Sequence, residues 1–210
     1  MKPAHEIEVK LPVTNVAVLR RTLRQLRARH GRRVHELNVL FDTPDQRFRR
    51  SDRLLRLRTN NGAGVITFKG RSLSATSARA SRYKIRRELE FAVSDPSVAA
   101  AVLHQLGFRS GFRYEKFRTE LLVPRVKGAH IFLDETPIGV FLEIEGAPAA
   151  IDRAARTLGF KPADYVTESY GALYARYCRA RGIKMGDFVF ASKKSDVRRK
   201  KSEGSRGAAK

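Results

Sequence analysis

Tryptophan is absent from the 210 residues, and cysteine occurs once, at Cys178. A single thiol excludes an internal disulfide. No apolar run approaches the roughly 20 residues a helix needs to cross a bilayer. The opening MKPAHEIEVK lacks the apolar segment of a secretory signal. Together these absences predict a cytoplasmic chain. Neither a Walker A loop nor a G-x-G-x-x-G turn is present, so phosphate binding by a glycine-rich loop is not supported. The five histidines, His5, His30, His35, His104 and His130, show no metal-ligand spacing. Acids are scarce: 21 Asp and Glu stand against 43 Lys and Arg, a formal charge of +22. Such a balance favours polyanionic partners, whether nucleic acid, anionic lipid or phosphorylated small molecules.

Part of the excess charge is a tail. KKSDVRRKKSEGSRGAAK, residues 193–210, holds eight basic and two acidic residues. We expect one domain over 1–191 and a basic, disordered tail over 192–210 that contacts nucleic acid or anionic surfaces, or simply solubilises the chain. The hydrophobic content of 42% is enough for a core.

Period-two alternation predicts strands over 5–11, 36–43, 54–59, 64–70, 84–93, 112–123, 129–135 and 139–146. Helices are predicted over 15–30, 94–108, 148–159 and 164–181. In the first, Val16, Leu19, Leu23 and Leu26 recur at helical spacing, and Gly31 follows. Residues 71–83 are rich in Ser, Ala and Arg and read as a loop. Strands joined by short turns and outnumbering helices indicate an antiparallel α+β fold, with closure into a barrel as one option.

The acids are not spread at random. HEIEVKL (5–11) and FLEIEG (141–146) each hold two glutamates two residues apart inside apolar sequence. Alternation puts Glu6, Glu8 and Lys10 on one face of their strand, and Glu143 and Glu145 on one face of theirs. The same holds for Arg56 and Arg58, for Thr67 and Lys69, for Lys84, Arg86, Glu88 and Glu90, and for Lys116, Arg118 and Glu120. For any one strand a solvated outer face explains this. For the six together, an alternative is a sheet closed with these faces inward. That many buried charges must pair or hold ions. A polyphosphate with Mg2+ or Mn2+ meets both signs: Lys and Arg grip phosphate oxygens and carboxylates hold the metal.

Six motifs in order resemble the CYTH superfamily, the triphosphate tunnel metalloenzymes. They are E-x-E-x-K at Glu6, Glu8 and Lys10; R-x-R at Arg56 and Arg58; Lys69 in ITFKG; Arg86, Glu88 and Glu90 in RRELE; Lys116 and Arg118 in EKFR; and Asp134, Gly139, Glu143 and Glu145 in LDETPIGVFLEIEG. ESY, ending at Tyr170, is similar to the family's C-terminal S-Y, so the likeness spans about residues 4–182. The resemblance implies an α+β fold on a closed eight-stranded antiparallel β-barrel, a tunnel, with flanking helices. It implies Glu6, Glu8, Glu143 and Glu145 as ligands of Mg2+ or Mn2+, with Asp134 joining them. Lys10, Arg56, Arg58, Lys69, Arg86, Lys116 and Arg118 would hold phosphate, with Lys10 and Lys69 as the catalytic cations. Glu88 and Glu90 are open between a second metal and bracing the basic residues. The implied substrate is a triphosphate. Conversion of ATP to cyclic AMP and pyrophosphate, as in class IV adenylate cyclases, ranks first. Hydrolysis of inorganic or thiamine triphosphate is the alternative, and a non-catalytic polyphosphate- or nucleic-acid-binding module comes last. Two positions depart from the pattern. Leu40 stands where many relatives have a tyrosine thought to help a lysine activate water, and Arg71 replaces the usual proline after Lys-Gly.

Overall fold

The computed structural model describes residues 4–60, 62–73 and 82–191. The predicted loop 71–83 is thus seen only at its ends, and the tail 192–210 lies outside the described residues. Eight strands form the frame: β1 (Ala4–Val13), β2 (Arg29–Asp42), β3 (Leu54–Asn60), β4 (Ala63–Ser72), β5 (Lys84–Val93), β6 (Arg109–Leu122), β7 (Ala129–Thr136) and β8 (Gly139–Gly146). They close into one barrel in the order β1-β5-β4-β3-β2-β6-β7-β8. Every neighbouring pair is antiparallel. Helices α1 (Val16–Gln25), α2 (Arg47–Arg50), α3 (Pro96–Gln105), α4 (Pro148–Thr157) and α5 (Tyr170–Ala180) flank it. Among the described residues no helix is long and apolar enough to cross a membrane.

Alternation sorts the side chains. Val9 and Leu11 of β1, Ile131 of β7, and Leu142 and Ile144 of β8 point outward and are fully covered. Leu19 and Leu23 of α1 and Ile151, Ala154 and Ala155 of α4 cover them. On another side, Phe41, Leu55 and Leu57 pack under Leu103 of α3. Apolar residues therefore lie between barrel and helices, which leaves the barrel interior to the charged faces. Ile151→Ala should lower stability by about 2–5 kcal/mol through lost burial and a residual cavity. Urea unfolding measures this, and a loss below 1 kcal/mol would show that the wall collapses around the smaller side chain.

The largest departures from expectation are at the first helix, the last helix and one added short helix. The first helix ends at Gln25, not at residue 30. Arg27 takes a left-handed conformation (φ 53°), and the Ala28 N–H returns to the Leu23 carbonyl, so the chain turns before Gly31 and β2 begins at Arg29. The last helix starts at Tyr170, not at 164, because residues ahead of it are drawn onto β1: Val166 exchanges two backbone hydrogen bonds with Lys10. Helix α2 was not expected. Its first turn is built on Asp42, whose carboxylate accepts from the Phe48 and Arg49 N–H groups.

Candidate active site

Strand parity carries every charged face to the inside. Glu8 pairs in register with Lys84 of β5 on one side and Glu145 of β8 on the other; Lys10 lies opposite Glu143, and Glu6 opposite Arg86. On the other neighbouring strands, Arg118 pairs in register with Asp134, Glu36 with Lys116, and Arg56 with Thr67. The result is a cavity of about 800 Å³. Every residue that the resemblance assigned to phosphate or metal lines it, except Asp134. Gly146 ends β8 directly after Glu145 at φ 152°; a Cβ there would lie 2.6 Å from the Gly128 carbonyl oxygen, so glycine lets the two backbones meet.

The interior charges are paired with each other. Lys10 reaches Glu8 at 2.8 Å and Glu143 at 3.1 Å. Lys84 also reaches Glu8 at 2.8 Å, and Lys69 pairs with Glu6. Arg118 bridges Glu143 and Asp134, and Arg58 reaches Glu36 at 3.3 Å. Burial pushes the Glu8 carboxyl up, but Lys10 and Lys84 outweigh it and hold Glu8 well below the usual carboxylate range. Burial alone would lower Lys69, yet Glu8 and Glu6 raise it above its ordinary value, so it stays an ammonium. Glu145 goes the other way. Burial, then repulsion from Glu143, pushes it up to about 8.

Two groups of carboxylates separate. Glu6, Glu8 and Glu145 each offer an oxygen, all within 4.8 Å of one another. Hard oxygen donors so spaced suit Mg2+ or Mn2+, and a cation among them would relieve the repulsion that raises Glu145. Asp134 and Glu143 stand apart from that cluster. Asp134 is fully buried and accepts from Lys116, Tyr170 and both Nε and Nη2 of Arg118 at 2.7–2.9 Å. Its oxygens are occupied by protein donors. Glu143 is taken by Lys10 and Arg118. Glu88 and Glu90 lie near the basic residues: Glu88 is 3.5 Å from Lys69, and Glu90 accepts from the Thr67 hydroxyl at 2.9 Å.

Basic capacity is left over. The Nε donors of Arg56, Arg58 and Arg86 are buried with no hydrogen-bond partner among the described residues. Buried donors are normally satisfied, so three of them around one cavity suit an anionic ligand.

Several lining residues were missed or left without a role in the sequence. Glu36 and Tyr114 follow from parity, as Tyr114 shares a face with Lys116 and Arg118. Parity puts Lys84 on the charged face of β5, and the structure makes it an ion-pair partner of Glu8. Leu40 does line the cavity opposite Arg56, so an aliphatic chain occupies the expected tyrosine position. The phenol that meets Arg56, at 3.3 Å, comes from Tyr114 on β6. Arg71 turns from the cavity to the Ser51 carbonyl. At one end of the barrel Tyr114, Phe141, Tyr170, Leu173 and Phe188 form an apolar stopper, with the first turn of α5 set into the cavity floor. Cys178 is buried in α5.

Comparisons agree with this geometry. A Methanocaldococcus jannaschii protein named "Putative adenylate cyclase MJ0240" is 23% identical over 154 residues, 73% of this chain and 83% of that protein. The structure of PH1819 protein from Pyrococcus horikoshii OT3 is 25% identical and superposes with TM-score 0.66, covering 82% of this chain and 99% of that one. A Vibrio parahaemolyticus structure whose protein is likewise described as an adenylate cyclase of that provisional kind shares the fold at TM-score 0.68 and 19% identity, over 83% of this chain and 99% of the other. The family model for the CYTH domain matches residues 4–170, so the whole barrel falls inside it and the chain belongs to the CYTH domain family.

Proposed function

We propose that the protein is a metal-dependent enzyme that converts ATP to cyclic AMP and pyrophosphate in the barrel cavity. The observation that supports metal and triphosphate in one cavity is the coexistence there of a three-carboxylate cluster and three buried guanidinium Nε donors without acceptors among the described residues, and the preference for cyclisation over hydrolysis rests on Leu40 at the expected tyrosine position. A pure anion binder has no use for the carboxylates, and a pure metal site has no use for the arginines. Mg2+ or Mn2+ held by Glu6, Glu8 and Glu145 would neutralise phosphate charge during transfer.

The remaining work falls to side chains. Arg56, Arg58, Arg86, Lys116 and Arg118 hold the phosphate chain, fixing its line relative to the attacking hydroxyl. Lys10 and Lys69, both kept as ammonium groups, stabilise charge that develops on the leaving pyrophosphate rather than abstract protons. Each is now held by glutamates, so it reaches a phosphate oxygen only as those carboxylates turn to another cation. Metal and triphosphate should therefore bind cooperatively. Asp134 acts as a brace for Lys116, Arg118 and Tyr170, in place of the ligand role the resemblance implied.

Triphosphate hydrolysis is the second reading. Leu40 disfavours it, because the tyrosine that would partner a lysine in activating water is replaced by an alkyl group. Incubation with ATP, thiamine triphosphate and inorganic triphosphate, each with Mg2+ or Mn2+, separates the readings. Cyclic AMP with pyrophosphate supports cyclisation, orthophosphate supports hydrolysis, and metal-dependent thermal protection without turnover leaves only binding. Arg58→Ala should raise KM for the preferred triphosphate about tenfold by removing a charge-assisted contact. An unchanged KM would remove Arg58 from the phosphate site.

A further inference from the structure

The outer wall over β4, β5 and α3 carries an apolar ridge that the catalytic reading does not use. Val98 and Val102 of α3 and Leu106 just past its end recur every fourth residue and are 58%, 51% and 68% exposed, and Phe91 on β5 is 59% exposed. Phe91 lies opposite Ile66 in register, and Ile66 packs in one cluster with Ala99 and Ala100 of α3. Strand and helix thus present a single flank. Single exposed apolar residues need no explanation, but a helical stripe continued by an aromatic on the adjacent strand does.

Unpaired arginines rim this flank. Exposed Arg87 stands two residues before Leu89 on β5, Arg49 on α2, and Arg109 at the head of β6. Helix α2 is fixed beside the end of α3, since Phe48 packs on Phe108 with ring centroids 5.7 Å apart. None of these three arginines has a carboxylate within ion-pair distance among the described residues. The nearby acids are engaged: Asp42 and Asp95 cap α2 and α3, and Asp45 pairs with Arg50 at 2.8 Å.

We propose that this flank docks on an anionic lipid surface, with Phe91, Val98, Val102 and Leu106 at the acyl boundary and the arginines among the headgroups. Apolar area and basic rim both match such a surface. A second copy of the chain fits less well. It would set arginine rim against arginine rim, and the acids described on this flank already cap helices or pair with arginine. The chain's formal charge of +22 also draws it towards anionic bilayers before contact.

The full chain should co-sediment with vesicles of phosphatidylcholine and phosphatidylserine at roughly three to one, and not with phosphatidylcholine alone. The triple variant Phe91→Ser, Val102→Ser, Leu106→Ser keeps every charge, the tail included, and should bind the mixed vesicles at least roughly tenfold more weakly. Its thermal unfolding and its turnover in solution serve as fold controls. Equal binding by the variant would assign the attraction to charge elsewhere and overturn the proposal. So would absence of binding by the parent chain, or a dimer in analytical ultracentrifugation that the variant abolishes. The outcome is independent of which triphosphate reaction the cavity performs.

Discussion

Glu145→Gln should abolish metal-dependent turnover while leaving the barrel folded, with a fall in kcat/KM of roughly 100-fold or more, or about 2.7 kcal/mol of transition-state stabilisation. Glu145 lies with Glu6 and Glu8 in the three-carboxylate cluster, yet its nearest cation, Arg118, is 3.8 Å away. Of the three it is least tied to protein partners, so its removal should spare the ion pairs that hold the walls. Glu6→Gln should act the same way, with a smaller margin because it also frees Lys69. Mg2+ or Mn2+ should raise the unfolding temperature of the parent and of neither variant. Glu8→Gln is a poorer probe, since Glu8 anchors Lys10 and Lys84 at once. Full activity in both Glu6→Gln and Glu145→Gln would end the site assignment.

Asp134→Ala should instead attack the fold. Its carboxylate accepts from an ammonium, a guanidinium and a phenol, all deep in the barrel. Removing it leaves Lys116 and Arg118 as buried cations short of a counter-charge, a loss of about 3–5 kcal/mol. Glu36 and Glu143 recover part of this, because each already pairs with one of the two cations. Urea unfolding reads the loss directly. Asp134→Asn tests the cause, since an amide keeps the volume but loses the charge and turns a donor towards donors. A stable Asp134→Ala protein with weakened metal binding would return Asp134 to the ligand set.

The register of the site was legible because β-strand parity is strict. Once Glu6 and Glu8 were placed on one face, the inward direction of Lys10 followed, and the same argument ran through Arg56, Arg86 and Glu143. Closure was not legible from alternation, which looks the same on an open sheet; it was implied only by the resemblance to the CYTH superfamily. The division of labour among the acids was also hidden. Asp134 and Glu145 both carry carboxylates at inward positions, and only the three-dimensional neighbours show that one is saturated by donors and the other repelled by Glu143. Tyr114 escaped notice because an aromatic in a strand reads as core. Boundaries failed where tertiary pairing overrode local signals: Val166 joins β1 at Lys10, which delays α5, and Arg27 adopts a left-handed turn without glycine.

The stopper formed by α5 has a kinetic consequence. With Tyr170 and Leu173 packed at that end, the proposed reaction would take its substrate in and release its products through the opposite end. The fragment lodged nearer Tyr170 cannot depart before the other, and while it stays it bars the next molecule. Inhibition by that late-leaving product should therefore be competitive with substrate, and which of the two products behaves this way reports the direction in which the phosphate chain lies.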